Sequence, residues 1–361
     1  MSKPSKYRLF LFPLSMIYGL IVWSRNKLFD YKILKQHEFD IPIISVGNIS
    51  VGGTGKTPHA EYIINLLKND LKLAILSRGY GRSTKGFLIA DENSTSKTIG
   101  DEPMQIKQKF NDLIVAVDEK RVRGINNLID DNELNCIILD DAFQHRYVKP
   151  GMNILLIDYY NPISKDHILP AGNLREAASE RDRAHIIFIT KSPKDIKPMS
   201  RRIIETDLNI YPYQSLYFTT LNYGEPINVF NNSTINLENY STFVVLTGIA
   251  TPKPLYKYLK KFSNSIVKLK FSDHHKWTQV DFEKIVAKYN KAEDKNKVII
   301  TTEKDYIRLK DSEFIDILKD LPIYYIPIEV DFLDQEQKKV FNKQILDYVK
   351  KNKRSYRLYQ K

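Results

Sequence analysis

Short apolar runs separated by segments of helical period dominate the middle of this chain. Residues 41–46, 73–76, 113–117, 137–139, 154–157 and 186–190 are apolar on both faces and rich in Ile, Leu and Val. A strand with one wet face would alternate, so runs of this kind belong to a parallel sheet covered on both sides. Between the first two runs, Ala60, Ile63, Ile64 and Leu67 recur at helical spacing. The pattern weakens after residue 205. Residues 211–220 and 225–230 alternate loosely around Asn222-Tyr223-Gly224, which predicts a hairpin, and an Asn- and Ser-rich connection follows. A second series then starts: a strand at 243–246, a Lys-rich helix at 254–262, and strands at 266–271, 298–300 and 323–328. The Lys-rich stretch 350–361 reads as a solvated end. The expected division is an N-terminal helix (1–30), an α/β lobe (31–205), a β linker (206–240) and a smaller α/β lobe (241–361).

The stretch 9–23 (LFLFPLSMIYGLIVW) departs from this alternation of strands and helices. It is apolar and aromatic, with Lys3, Lys6 and Arg8 before it and Arg25 and Lys27 after it. Its length falls short of the ~20 residues that cross a bilayer. A helix lying in the membrane interface suits it, with basic residues reaching lipid phosphates. The alternative is a helix packed on the protein body. Composition adds two constraints. The formal net charge of +12 favours an anionic partner, whether nucleic acid, a phosphorylated substrate or an acidic membrane surface. A single cysteine, Cys136, in an apolar run excludes a disulfide framework and a cysteine-cluster metal site, and suits a reducing compartment.

The chemistry is concentrated where the apolar runs end. After residue 46 comes Gly47-Asn-Ile-Ser-Val-Gly52-Gly53-Thr54-Gly55-Lys56-Thr57-Pro58, a glycine loop between strand and helix. In such a loop backbone N–H groups and the helix N-terminus cradle phosphates, Lys56 supplies a point charge, and the Thr57 hydroxyl can hold Mg²⁺. Ser50 stands where the strict pattern has its first glycine. Cys136-Ile-Ile-Leu-Asp140-Asp141 has the form of a strand whose terminal acids hold Mg²⁺ on nucleotide phosphates. Ser77-Arg78-Gly79-Tyr80-Gly81-Arg82 offers two guanidinium forks for phosphate, and His145 follows the acids closely enough to orient a neighbour or a substrate phosphate. The segment from Asp118 through Arg121 and Arg123 reads either as a phosphate-facing helix start or as a solvated charge run. Asp101 and Glu102, in GDEP, taken alone are explained by the helix dipole and capping. His274 and His275 are adjacent, which disfavours a shared metal, so Asp273-His274 is the better acid–base element.

In combination, VGNISVGGTGKTP, SRGYGR, GDEP, DEKRVRG, ILDDAFQHR, LPAGNLRE, FSDHHKW and TTEKD resemble the tetraacyldisaccharide 4′-kinases of lipid A biosynthesis, in order from about residue 40 to 305. The resemblance implies two unequal phosphate-loop α/β lobes with mainly parallel sheets, a two-stranded linker and a helix resting on an anionic membrane surface. It implies transfer of the γ-phosphoryl group of ATP, with Mg²⁺, to the 4′-hydroxyl of a tetraacylated glucosamine disaccharide 1-phosphate. The expected place is the cytoplasmic face of the inner membrane, with no nucleic acid as partner. Asp101 would be the base, supported by His274, with Lys56 at the transferred phosphate. Gly52, Gly53, Thr54, Gly55, Lys56 and Thr57 would bind nucleotide, and Thr57, Asp140 and Asp141 the metal. Tyr80, Arg121, His145, Arg175 and Glu176 would lie near the substrates. Ala177 and His185 stand where the family usually has a proline and an acid. A phosphate-loop GTPase or metallochaperone and a nucleotide-switched membrane adaptor are the competing classes; Thr190-Lys-Ser-Pro193 lacks the Asp that guanine readers carry.

Overall fold

The computed structural model describes residues 6–273 and 275–359. The chain runs α1 (Phe12–Asp30), β1 (Ile43–Gly47), α2 (Lys56–Leu67), β2 (Leu73–Ser77), β3 (Leu88–Ile89), α3 (Ser96–Ile99), α4 (Asp101–Lys109), β4 (Ile114–Val117), α5 (Arg121–Asp131), β5 (Cys136–Asp140), β6 (Met152–Asp158) and β7 (Ile186–Thr190). It continues with α6 (Pro198–Leu208), β8 (Ser215–Tyr223), β9 (Ile227–Asn228), β10 (Thr242–Thr247), α7 (Lys253–Leu259), β11 (Ser265–Lys270), α8 (Gln279–Lys291), β12 (Lys297–Thr302), α9 (Glu303–Lys310), β13 (Ile323–Ile326), β14 (Ile328–Phe332) and α10 (Gln335–Tyr359).

A nine-stranded sheet has the order β14-β8-β7-β6-β1-β5-β2-β4-β3, parallel except at its two edges, and a five-stranded sheet has the order β11-β10-β12-β13-β9. Both faces of the larger sheet are dry. Ile44, Val46, Ile75 and Ile138 pack with Ile63, Ile64 and Leu67 of α2, while Ile43, Ala74, Leu76 and Ile137 pack with Ile125 and Leu128 of α5. This is why the strands carry no alternation. β1 lies between β5 and β6, so the chain leaves its carboxyl end where the winding changes direction, the place where such sheets bind ligands.

Two expectations need correction. The hairpin around Asn222–Gly224 does not form: β8 pairs with β14, more than a hundred residues later, and β9 pairs with β13 of the other sheet. Nor does the chain after residue 241 stay with the smaller sheet. β14 and α10 return to the larger one, where Phe341, Ile345 and Val349 are buried at a helical repeat. The Tyr348 hydroxyl donates to Ile43 O at 3.0 Å and accepts from Ile43 N at 3.1 Å. The stretch read as a solvated end continues α10 to Tyr359.

α1 rests on the body through small and polar groups. Ser15 Oγ accepts from Ala171 N–H at 2.8 Å, Arg146 bonds Asn26 O and pairs with Asp30, and Phe29 is buried. A Cβ on Gly19 would meet Ile168 Cδ1 at 3.2 Å, so the helix fits closely there. The opposite face leaves Phe12, Leu14, Met16, Ile17, Leu20, Ile21 and Trp23 exposed. Among the described residues no helix is long and apolar enough to cross a membrane.

Candidate active site

The loop after β1 is shaped by close approach. A Cβ on Gly47 would lie 2.8 Å from both Phe143 N and Phe143 Cβ, so only glycine admits the turn that follows β5. Gly55, with φ +90°, is the N-cap of α2 and supplies no side-chain cap, which leaves the first N–H groups of the helix for another acceptor. The loop is braced from several sides. Thr54 Oγ1 accepts from Asn48 Nδ2 at 2.9 Å, and Thr54 O accepts from Thr190 Oγ1 at 2.8 Å. Lys191, in left-handed conformation at the end of β7, donates to Gly53 O and to Asp158 Oδ2.

Parallel pairing puts Val46 beside Asp140, so the acids enter directly next to the loop. Asp140 is fully buried, and neither carboxylate oxygen has a hydrogen-bond partner among the described residues. Burial, with repulsion from Glu102 and Asp141, pushes its pKa up to about 7 against the pull of Lys56 and Arg121. A buried carboxylate without donors is unfavourable alone and is satisfied by a cation or ordered water. Asp141 adopts φ +46°, which an aspartate tolerates, and faces Lys56 Nζ at 3.6 Å and Arg175 Nη1 at 3.4 Å. Burial opposes its ionisation, but Lys56 and Arg175 outweigh it and hold the carboxyl below its usual range. Thr57, at the start of α2, is buried nearby in sequence and loop. No three Asp, Glu, His or Cys side chains among the described residues form a complete metal cage. A Mg²⁺ ion at Thr57, Asp140 and Asp141 would therefore draw further oxygens from phosphate and water, its usual habit.

Beside these groups opens a cavity of about 270 Å³ walled by Tyr18, Val22 and Arg25 of α1, Arg78, Tyr80, Glu102, Asp141, Gln144, His145, Arg175 and Glu176. Burial, reinforced by Arg121 and Arg78, lowers the His145 pKa to about 4, so its ring is neutral at pH 7. Tyr18 OH donates to Arg175 O at 3.1 Å, tying α1 to the loop that carries Arg175.

The structure thus brings Lys56, Asp141, Tyr80, His145 and Arg175 to one place. Glu176 lines the cavity but is buried, its carboxylate bonded to Arg25 at 2.9 Å and to Arg183. Arg121 is not on the cavity wall. It is buried behind β5, donating to Asp118 O and to Asp140 O at 3.4 Å. Arg82, the second fork of its loop, turns inward to Gly86 O and Glu119. The charge run behind Asp118 is internally paired, through Arg123 at 2.7 Å. Asp101 begins α4 and lies 3.6 Å from Arg308 Nε. His274 falls outside the described residues; His275 pairs with Asp281 at 2.9 Å. Sequence reasoning missed Tyr18, Arg25, Gln144 and Lys191. Tyr18 and Arg25 were legible only as parts of an amphipathic membrane helix. Lys191 was weighed as a reader of guanine, yet its ammonium is spent on the phosphate loop.

A parallel α/β sheet with a glycine loop, a lysine and paired strand-end acids at its switch point defines a phosphate-loop nucleotide-binding protein. The comparisons refine this class. The profile described as tetraacyldisaccharide-1-P 4′-kinase matches residues 7–350, and the chain belongs to that family. It is 50% identical to a tetraacyldisaccharide 4′-kinase of Phocaeicola vulgatus, covering 97% of each chain. It is 45% identical to one of Flavobacterium johnsoniae, covering 96% of this chain and 98% of that one. The crystal structure of LpxK from Aquifex aeolicus in complex with ATP matches with a TM-score of 0.73 at 27% identity, covering 95% of this chain and 99% of that one.

Proposed function

We propose that this chain is an ATP-dependent tetraacyldisaccharide 4′-kinase, transferring the γ-phosphoryl group to the 4′-hydroxyl of a tetraacylated glucosamine disaccharide 1-phosphate in lipid A biosynthesis. The observation that carries the reading is the adjacency of the Lys56–Asp141 pair to a cavity with α1 as one wall. A nucleotide switch would need the first; only an enzyme acting on a lipid headgroup uses both. The cavity takes a sugar ring, not acyl chains, which would lie along the exposed apolar face of α1. That face, with the chain's positive charge, favours peripheral residence on the anionic cytoplasmic surface of the inner membrane, where ATP is available.

Phosphoryl transfer asks chiefly for positioning and charge neutralisation. In this reading Gly52, Gly53, Thr54 and Gly55 present backbone N–H groups to the phosphates, and Lys56 neutralises the transferred group. Thr57, Asp140 and Asp141 would hold Mg²⁺, which supplies charge on the phosphate oxygens. Arg175 and Arg78 orient the acceptor, with neutral His145 and Tyr80 as hydrogen-bonding groups. Glu176 works indirectly, by fixing Arg25 and Arg183, and Arg121 by supporting the Asp140 strand end. Asp101 accepts the hydroxyl proton, and the pairing with His274 is carried by family resemblance. The test is turnover of ATP with the lipid disaccharide 1-phosphate. Lys56→Ala should abolish most of it, and Asp101→Asn should lose roughly 10²-fold in kcat while still binding ATP. Near-normal turnover by Lys56→Ala would sink the assignment, and a loss of only a few-fold in Asp101→Asn, beside an Asp141→Asn variant that collapses beyond rescue by added Mg²⁺, would move the base to Asp141.

A further inference from the structure

The segment Thr301-Thr-Glu-Lys-Asp305 belongs to the smaller sheet, yet the helix it starts lies against α4, which carries Asp101. α9 begins where β12 ends, with Thr302 as its N-cap. The Thr302 hydroxyl accepts from Asp305 N–H at 3.1 Å and donates to Asp305 Oδ2 at 2.7 Å. The same oxygen takes Gly248 N–H at 3.0 Å, from the turn after β10. Asp305 Oδ1 receives Arg308 Nη2 at 2.6 Å, and that nitrogen also donates to Gly248 O at 3.0 Å. A Cβ on residue 248 would stand 3.0 Å from Asp305 Oδ1, so the glycine there makes room for the pair. Asp305 is fully buried and Arg308 nearly so.

One edge of the Arg308 guanidinium is therefore locked to the smaller sheet, and a planar fork held on one edge cannot reorient. Nε, on the same edge, donates to Lys304 O at 3.4 Å and stands 3.6 Å from Asp101 Oδ2 of α4, an ion-pair contact. Nη1 is buried with no hydrogen-bond partner among the described residues. Two further pairs join the same helices, Lys304 with Glu102 at 3.3 Å and Lys109 with Glu303 at 3.5 Å. Docking of α9 on α4 thus has other ties, and Arg308 is the member of the set that faces Asp101.

We propose that Arg308, fixed by Asp305 and the Gly248 turn, is a positioning residue that holds the Asp101 carboxylate in line with the acceptor hydroxyl. Base orientation then depends on the two sheets being docked, and the TTEKD segment acts through Arg308. The proposal rests on Asp101 being the base. Steady-state kcat and KM for ATP and for the lipid disaccharide 1-phosphate are measured for Arg308→Gln, Arg308→Lys, Asp101→Asn and the Asp101→Asn/Arg308→Gln double variant. Arg308→Gln should lower kcat about 10- to 100-fold with both KM values within about threefold, and in the Asp101→Asn background it should cost less than about threefold. Arg308→Lys, which keeps the charge without the fork, should lose about 3- to 10-fold in kcat and carries the test if Arg308→Gln does not fold. A full additional loss in the double variant, or wild-type kcat in Arg308→Lys and Arg308→Gln beside an inactive Asp101→Asn, overturns this proposal alone. A nearly active Asp101→Asn overturns the base assignment and this proposal with it.

Discussion

His59 sits in the first turns of α2, under the phosphate loop. Its Nδ1 lies 2.8 Å from Gly55 O, which can only accept, so Nδ1 carries the proton and Nε2 accepts from the Thr219 hydroxyl at 2.9 Å. Burial drives its pKa down to about 4 against the opposing pull of the Gly55 hydrogen bond. The unfolded chain takes up this proton near pH 6.5, whereas the folded one refuses it until about 4. The associated stability is complete above the unfolded value and is lost as pH falls through this window. His59→Gln removes that loss. The wild type's advantage over the variant should therefore shrink by about 2 kcal/mol between about pH 7.5 and about pH 5, read from urea unfolding. An unchanged gap would mean that the ring titrates in the folded protein as it does in water.

α1 presents two different faces. Its docked face supplies Tyr18, Val22 and Arg25 to the cavity, while Ile17, Leu20 and Ile21 are 58%, 62% and 63% exposed. Deleting the helix would confound membrane binding with the site itself. Serine at Ile17, Leu20 and Ile21 together separates them, because these side chains leave the docked face intact. Partition onto anionic vesicles should fall about tenfold or more, along with kcat/KM for long-chain substrate, and ATP affinity should stay within about twofold. Unaltered vesicle binding would remove α1 as the membrane contact.

Across the whole molecule, Lys109 of α4, itself partly exposed, joins the sheets by bridging buried Glu61 and largely buried Glu303. Its Nζ is 2.6 Å from Glu61 of α2 and 3.5 Å from Glu303 of α9, and Gln105 donates to Glu61 at 3.0 Å. Burial raises the Glu61 pKa, and burial together with the Glu61 charge pushes Glu303 up to about 7, with Lys109 pulling both back. Lys109→Met leaves two buried carboxylates facing each other. Their folded pKa values then lie further above the unfolded ones, so stability is lost as pH rises. The variant should be destabilised by about 3 kcal/mol near pH 8 and by less near pH 5.5, where both acids can protonate. Equal losses at both pH values would show that Lys109 contributes packing and not charge.

What depended on contiguous residues was legible in the sequence. Dry strands announce themselves as unbroken apolar runs, and the Gly-Lys-Thr turn and the Asp140-Asp141 strand end each pack their chemistry into a few neighbours. Parallel order then had to put both at one edge. Tertiary structure decided whatever joins distant positions. β8 found its partner in β14 because a solvent-facing strand edge can be closed by any later segment of suitable register, which local pattern does not reveal. Of the two arginines flanking Tyr80, packing sent Arg78 to the cavity and Arg82 to Glu119, although both sit in the same short loop. Arg121 reads as a phosphate ligand by type and is buried by its place in α5. The contact of Arg308 with Asp101 spans two sheets, and only their docking creates it. Short-range pattern specifies elements and their polar ends; the direction a charged side chain takes is set by which neighbours exclude water from it, and those neighbours arrive from elsewhere in the chain.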